Sequence, residues 1–161
     1  MWALSLVPFV LLGGFLLLAV MRYGVPQMVS DTYYELEGRG WVFSAVTAVS
    51  AVMMMVCVLD TGLGCQPLAF LGCAAMVAVG MAPNYLGSED RVMHKVSAVN
   101  AAMGCVGWCL TARWEVTAFV AGCWLLYWAW SRGRRSWARP WFWAEVAAMA
   151  DVFLTYWTVC V

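Results

Sequence analysis

The sequence predicts an all-α polytopic bundle of six membrane-spanning helices, folded as a single transmembrane domain over residues 1–161. Three observations support this class: a large apolar excess, six apolar segments of spanning length, and an uneven distribution of basic residues between alternate loops. Of the 161 residues, 65% are hydrophobic and only 11% are charged, against about 25% charged in an ordinary soluble domain. A soluble domain of this length needs a polar coat, whereas lipid removes that need.

Six apolar segments have the length, about 17–22 residues, that crosses roughly 30 Å of hydrocarbon as a helix. Because lipid offers no hydrogen bonds to the backbone, we expect every segment to be helical. Proline and glycine residues mark the connections between them. The predicted spans are 2–22, 41–60, 67–83, 95–112, 114–130 and 141–159.

The first loop contains residues 28–40, MVSDTYYELEGRG, and is longer than a connection between two helices requires. We expect part of it to fold back as a short interfacial helix with Tyr33 and Tyr34 at headgroup depth. Asp31 is the expected cap of this helix, since aspartate before a helical turn accepts hydrogen bonds from free N–H groups. The loop would then brace or cover a cavity that opens to the cytoplasm, and bracing is the favoured interpretation.

The connection between the fourth and fifth spans, around Thr111 to Trp114, is very short. The two spans therefore form a tight antiparallel hairpin, or one of them is re-entrant. No repeat relates the two halves of the chain, so an inverted-repeat transporter gains no support.

Basic residues lie almost entirely in loops one, three and five, which share one side if all six segments span. Positive residues concentrate in cytoplasmic loops, so both termini are predicted to face outward. We expect a multi-pass protein of the cell membrane, and of the bacterial inner membrane in particular, with the lipid bilayer as its partner. Arg22, Arg39, Arg91, Lys95, Arg132, Arg134, Arg135 and Arg139 lie on the cytoplasmic side, and only Arg113 lies on the other.

Aromatic residues gather at the predicted membrane boundaries, where amphipathic rings sit at headgroup depth. The net charge is zero, which gives no electrostatic footprint for nucleic acid. The predicted aromatic belt contains Tyr23, Trp41, Trp114, Trp128, Trp130, Trp137, Trp141 and Trp143.

Three spans carry polar faces. Asp151 lies about midway along the last span, where a lipid-facing charge costs about 2.5–3.5 kcal/mol. We therefore expect its small and hydroxyl-bearing face to pack on other helices, with aromatic and aliphatic side chains toward lipid. Glycines in the fourth span should permit close helix approach. At about 100° per residue, the faces are Ala144, Ala147, Ala148, Asp151, Thr155 and Thr158 in the last span; His94, Ser97, Asn100, Ala101, Gly104 and Gly107 in the fourth; and Ser44, Thr47, Ser50 and Ala51 in the second.

These faces predict a polar cluster in the bundle interior near the cytoplasmic leaflet, where Asn100 and Glu145 lie at similar depth. In one interpretation the cluster is a site for a small polar solute, an ion or a proton, because intramembrane ionisable groups commonly mark such pathways. In the other, its members are interhelical hydrogen-bonding groups. The candidate binding residues are Asp151, Glu145, Asn100, His94 and Asp31.

His94 is the only histidine, which disfavours enzyme and metal chemistry. A zinc site needs three or four converging ligands, and the sequence contains no P-loop, dinucleotide fingerprint or nucleophile elbow. We therefore predict no catalytic residue, no metal and no cofactor. The seven cysteines fall mostly inside spans, where cysteine acts as a small hydrophobe, although Cys57 and Cys65 could pair in an oxidising compartment.

Four features resemble a group of short six-helix membrane proteins of anaerobic gut bacteria and their phages: the string SDTYY, the string PLAFLGCAAMVAVGMAPN, the acidic loop before His94, and the string FWAEVAAMADVFLTYW. The resemblance covers residues from about 28 to 157. It implies the six-helix topology and a pairing of the first and third loops with the last helix. It supplies no activity.

The function expected from these observations is that of an integral membrane protein that binds or passes a small polar solute, an ion or a proton through the cytoplasm-facing cluster. The alternative is a structural or accessory membrane subunit, whose polar faces assemble with a membrane-protein partner or a second copy. A membrane-embedded enzyme is the least supported class.

Overall fold

All regular secondary structure in the described residues is helical, as the sequence predicts. The computed structural model describes residues 2–81, 88–132 and 138–160, and describes residues 88–91 by their backbone alone. Some residues of the predictions above lie outside the described residues: the last two of the predicted third span, Ala82 and Pro83, together with Arg134, Arg135, Trp137 and the side chain of Arg91. The elements are α1 (Trp2–Tyr23), a 3-10 turn (Val29–Asp31), α2 (Thr32–Glu35), α3 (Trp41–Asp60), α4 (Gln66–Met81), α5 (Ser88–Ser131) and α6 (Pro140–Cys160).

The bounds of α1, α3 and α6 agree with the predicted first, second and last spans to within one residue at each end. Two of these helices, α1 and α3, are long and apolar enough to cross a membrane, with mean hydropathies of 2.5 and 2.4. The helix α4 is apolar but has only 16 residues. A core helix of a soluble protein can meet the same length and hydropathy criteria. The two helices by themselves are therefore weak evidence of a membrane protein.

The surface of these helices is apolar. In the 18-residue apolar segment of each helix, only 28% of the residues of α1 and 44% of those of α3 are buried. In α1, Leu18 and Met21 are 68% and 75% exposed. Soluble monomers rarely expose large contiguous apolar patches, so the outward face of α1 agrees with contact to lipid.

The helix α5 bends sharply at Arg113, where the backbone leaves the helical region with φ −154° and ψ 73°. Cys109 before the bend and Thr117 after it are both hydrogen-bonded with Asp151 of α6. Farther from the bend, Trp124 Nε1 donates to the Pro140 carbonyl at 3.2 Å. Along α6, the first arm advances from Asp151 at Cys109 to Thr158 at Arg113. The second arm returns from Asp151 at Thr117 to Pro140 at Trp124, so the two arms run antiparallel, as the predicted hairpin requires.

The helix α4 packs closely on the first arm of α5 because two glycines face each other. A Cβ added to Gly104 would lie 2.6 Å from the Gly72 backbone. The close approach predicted from the glycines is confirmed. At the end of this contact nearer the bend, the Cys65 N–H donates to Thr111 Oγ1 at 2.8 Å, so the two helices run in opposite directions.

The first loop folds back as a 3-10 turn followed by α2, which confirms the predicted short helix. The prediction that Asp31 caps α2 is wrong. Its carboxylate accepts instead from the Met28 N–H at 3.1 Å. Asp31 itself has helical backbone angles, φ −66° and ψ −20°, whereas a capping side chain reaches forward from an extended residue.

Several aromatic side chains of α6 are buried, which corrects the prediction that they face lipid. Phe142, Phe153 and Tyr156 are 2%, 6% and 0% exposed. The reason is that α6 contacts more than one neighbour: Trp157 Nε1 donates to Ser5 Oγ of α1 at 2.9 Å, while the opposite face meets both arms of α5. The buried face of α6 is therefore wider than the predicted arc of small and hydroxyl-bearing residues.

Candidate functional site

A cavity of about 250 Å³ lies between α3, α4, the first arm of α5 and α6. Alanines contribute much of the wall on α5 and α6, including Ala98, Ala101, Ala144 and Ala148. Their side chains are too short to fill the space between the helices, so a cavity remains. Larger apolar side chains line the rest of the wall: Leu12, Phe43, Met54, Met76, Val79, Met149, Val152 and Phe153.

One face of α3 carries two hydroxyl groups on the cavity wall. Thr47 and Ser50 are only 2% and 3% exposed, and both line the cavity. Thr47 Oγ1 and Ser50 Oγ have no hydrogen-bond partner among the described residues. A buried hydroxyl left without a partner costs about 1–3 kcal/mol. The two groups are therefore available to an occupant of the cavity.

Other hydroxyl groups in these helices behave differently. In general, a serine or threonine in a helix satisfies its hydroxyl by donating to a carbonyl three or four residues back. The groups on the α3 cavity face are exceptions to this pattern. The hydroxyls that do bond back are those of Ser5, Thr61, Thr111, Ser131 and Thr158.

His94 contributes a third polar atom to the cavity wall, Nδ1, which is also buried and without a partner among the described residues. The residue precedes the predicted fourth span and is half-buried. Burial lowers the pKa of His94, and this effect exceeds the opposing effects of the Val79 backbone and Asp31. The imidazole is therefore neutral at pH 7, with one nitrogen that donates and one that accepts.

Glu145 holds the first loop over the cavity. Its Oε2 accepts a hydrogen bond from the Val29 N–H at 2.6 Å. Val29 is 3% exposed, and Val29, Ser30 and Glu145 all line the cavity. The predicted bracing of the bundle by this loop thus rests on a defined contact between the 3-10 turn and α6.

The structure separates the other predicted site residues from this cavity. Asp151 is 2% exposed, but its Oδ1 accepts from Thr117 Oγ1 at 3.2 Å and from Thr155 Oγ1 at 3.4 Å. It joins α6 to the second arm of α5 and is not part of the cavity wall. Asn100 is exposed, so the predicted meeting with Glu145 is not formed. A binding role for these two residues stays a prediction.

Asp31 lies at the edge of this arrangement. Its carboxylate is bonded to the Met28 N–H within the first loop, and it is close enough to raise the pKa of His94. The structure therefore brings Glu145 and His94 together at one cavity, with Asp31 near its loop end. Sequence reasoning placed the hydroxyl face of α3 in the polar cluster but did not name Thr47 or Ser50 among the candidate binding residues.

The cysteines of the site are free thiols. Cys73 and Cys105 line the cavity, and their side chains are hydrogen-bonded to each other. All seven cysteines are free, including Cys57 and Cys65. In the part of the chain that the structure describes, no group of three histidine, cysteine or acidic side chains could hold a metal ion.

No family model, curated protein or solved structure matches the chain. The resemblance to short six-helix membrane proteins accordingly stays a prediction. The class that the fold and the cavity define is an all-helical protein with two candidate membrane helices and a cavity of small-molecule size.

Proposed function

We propose that the protein is a six-span integral membrane protein of the bacterial inner membrane whose cavity binds a small solute from the cytoplasmic side. The observation that carries this proposal is the presence of three buried, unpartnered polar atoms on one cavity wall, in Thr47, Ser50 and His94. Ligand sites are commonly apolar cavities with a few converging polar groups. The cavity fits that description.

The six-span topology draws support from the apolar surface outside α1 and α3. Leu71 of α4, Phe119 and Leu126 of α5, and Leu154 of α6 are 57%, 68%, 74% and 38% exposed. In addition, the second arm of α5 has no charged residue between Glu115 and Arg132. These helices are packed alongside one another, so a common hydrocarbon layer would surround them all.

Epitope tags at both termini, followed by addition of protease to spheroplasts, in which the outer membrane no longer excludes the protease, test this topology. With six spans and cytoplasmic basic loops, both tags are removed by the external protease. A protected tag at either end would contradict the orientation. A tag inserted after Arg132 is the control, since the fifth loop is expected to stay protected.

A ligand-stabilisation screen on the purified protein tests the binding function. A compound that binds only the folded state at one hundred times its Kd adds about 2.7 kcal/mol to the free energy of unfolding. The Tm should rise accordingly for the wild type. It should rise less for a Thr47→Val, Ser50→Ala double variant. A rise of equal size in both proteins would show binding elsewhere and contradict the proposed site.

One observation favours the alternative of an accessory subunit. Asn100 is exposed on α5 beside Val99 and Met103, which are 58% and 69% exposed. An amide facing lipid lacks partners, and a second helix could supply them. The polar faces of α3 and α6 are in contrast buried within the chain, so Asn100 is where assembly with a partner or a second copy is tested.

A further inference from the structure

The cavity is polar at one end and apolar at the other. At the end next to the first loop it is lined by Ser30, Thr47, His94 and Glu145. A Cβ added to Gly80 would lie 3.2 Å from Thr47 Cβ, and His94 is hydrogen-bonded with the backbone of Val79. Thr47 and His94 therefore flank the same turn of α4.

The opposite end of the cavity is formed by hydrocarbon and sulfur. Met54 follows Thr47 by seven residues along α3, and Phe153 follows Glu145 by eight residues along α6. At 1.5 Å per residue, these side chains lie about 10–12 Å farther from the first loop. Ser50 lies between the two ends. An occupant that satisfies both ends needs a polar group and an apolar body.

The charge of the wall restricts the occupant further. Of the described side chains that line the cavity, Glu145 is the only ionisable acid, and none is lysine or arginine. An anionic ligand would lie unpaired near Glu145, and the burial of an unpaired charge is strongly unfavourable. Glu145 already accepts the Val29 N–H at 2.6 Å, and neutral hydroxyls require no ionic partner. These contacts favour a neutral ligand.

The volume gives the size of the occupant. A cavity of about 150 Å³ binds benzene, which has six heavy atoms. Scaled to the cavity of about 250 Å³, this corresponds to roughly ten heavy atoms. We propose that the cavity binds a small neutral amphiphile, a hydrocarbon of about that size with one hydroxyl or carbonyl group, whose polar group contacts Thr47, Ser50 and His94. This inference rests on the proposed function and names its ligand class.

Four matched compounds test the ligand class: 4-propylphenol, propylbenzene, 4-propylbenzoate and 4-propylbenzylammonium. Their binding to the purified, full-length protein is measured by ligand-observed NMR in one detergent, and each affinity is corrected for that compound's own partition into protein-free micelles. We expect 4-propylphenol to bind most tightly. Propylbenzene should bind about tenfold more weakly, as expected for the loss of about 1.4 kcal/mol of hydrogen bonding. The benzoate should not bind.

Variants locate the binding site. The substitution Thr47→Val keeps the shape of the side chain and should weaken 4-propylphenol about tenfold while leaving propylbenzene unchanged. The control variant is Thr158→Val, because the Thr158 hydroxyl donates to the Thr155 carbonyl and is not part of the cavity wall. Equal effects of the two substitutions on 4-propylphenol would overturn the assignment of the polar group.

The possible outcomes separate this inference from the proposed function. If the ammonium compound binds and the phenol does not, the neutral class is overturned and a solute site in the cavity still stands. If the phenol and propylbenzene bind equally well, the polar contacts are overturned. If none of the four compounds binds and the wider screen also finds no ligand sensitive to Thr47 and Ser50, both proposals fail.

Discussion

Two buried polar regions of the bundle both contain hydroxyl side chains and differ in their hydrogen bonding. Around Asp151, the carboxylate accepts from Thr117 and Thr155, and these contacts join α6 to the second arm of α5. On α3, Thr47 and Ser50 are buried to the same degree, yet their hydroxyls have no partner among the described residues. Burial alone therefore does not distinguish a structural polar group from a binding group, whereas hydrogen bonding does.

The difference follows from the side chains opposite each region. Asp151 faces Thr117, whose hydroxyl is long enough to reach the carboxylate across the helix contact. The hydroxyls of α3 share the cavity wall with alanines of α5 and α6, such as Ala101 and Ala148. A methyl group cannot accept a hydrogen bond and does not fill the gap. Small residues thus permit close packing of α4 on α5 at Gly72 and Gly104, and they leave a cavity where alanines of α5 and α6 line the wall.

The largest expected effect is the loss of Asp151. The substitution Asp151→Ala leaves the hydroxyls of Thr117 and Thr155 without their acceptor, so we expect a destabilisation of about 3 kcal/mol. Thermal unfolding of the purified protein measures it. Asp151→Asn retains the acceptor oxygen and should cost much less. If Asp151→Asn preserves both protein level and activity, a proton relay through this residue is excluded.

A smaller effect is expected at Glu145. The substitution Glu145→Ala removes the acceptor of the Val29 N–H and leaves a buried donor unsatisfied, which costs about 1–3 kcal/mol. Hydrogen exchange at the Val29 amide should then accelerate at least tenfold, with little change in α3. Glu145→Gln offers a carbonyl oxygen in the same place and serves as the control. Unchanged exchange in Glu145→Ala would show that the loop is held by other contacts.

Matched threonine substitutions should have opposite signs in the two regions. Thr47→Val removes a buried hydroxyl that has no partner, so we expect it to stabilise the ligand-free protein by about 1 kcal/mol. Thr155→Val removes a donor to Asp151 and should destabilise by a similar amount. Both are measured by the free energy of unfolding in one detergent. Destabilisation by both substitutions would remove the distinction between the regions.

The smallest effect is expected at Asn100. Because this side chain is exposed, Asn100→Leu should change the free energy of unfolding by less than about 0.5 kcal/mol. Size-exclusion chromatography with light scattering would show whether the variant alters the oligomeric state. A shift to a smaller species would favour the accessory-subunit alternative over a self-contained binding protein.

Much of the fold could be predicted because helix length and loop punctuation are local properties of the sequence. The short connection near Arg113 predicted the reversal of α5, and the glycines of the fourth span predicted a close helix approach, without naming α4 as the partner. The site was less predictable. At about 100° per residue, Asn100 lies about 160° around α5 from Ala98, which lines the cavity. The sequence pattern placed Asn100 on a helix-packing face, but it did not show how far around α5 the neighbouring helices extend.

The polar cluster itself was predicted in part. Glu145 and His94 were assigned to the interior because ionisable residues in or beside a membrane span usually face the bundle interior. The cavity depends on four helices presenting alanines and unbonded hydroxyls to one another, and such a coincidence is visible only in three dimensions. The hydroxyl stripe of α3 was the available signal, and its missing hydrogen bonds could not be read from spacing.

The bond between Val29 and Glu145 joins groups that are 116 positions apart in the chain. During synthesis, the acceptor on α6 emerges only after the four longer helices before it have been made. The first loop therefore cannot close over the cavity on a partially made chain, and the interior of an incomplete bundle stays exposed. A closed first loop therefore marks a completely synthesised bundle. A quality-control protease could distinguish an incomplete chain by its access to this one segment, residues 28–40.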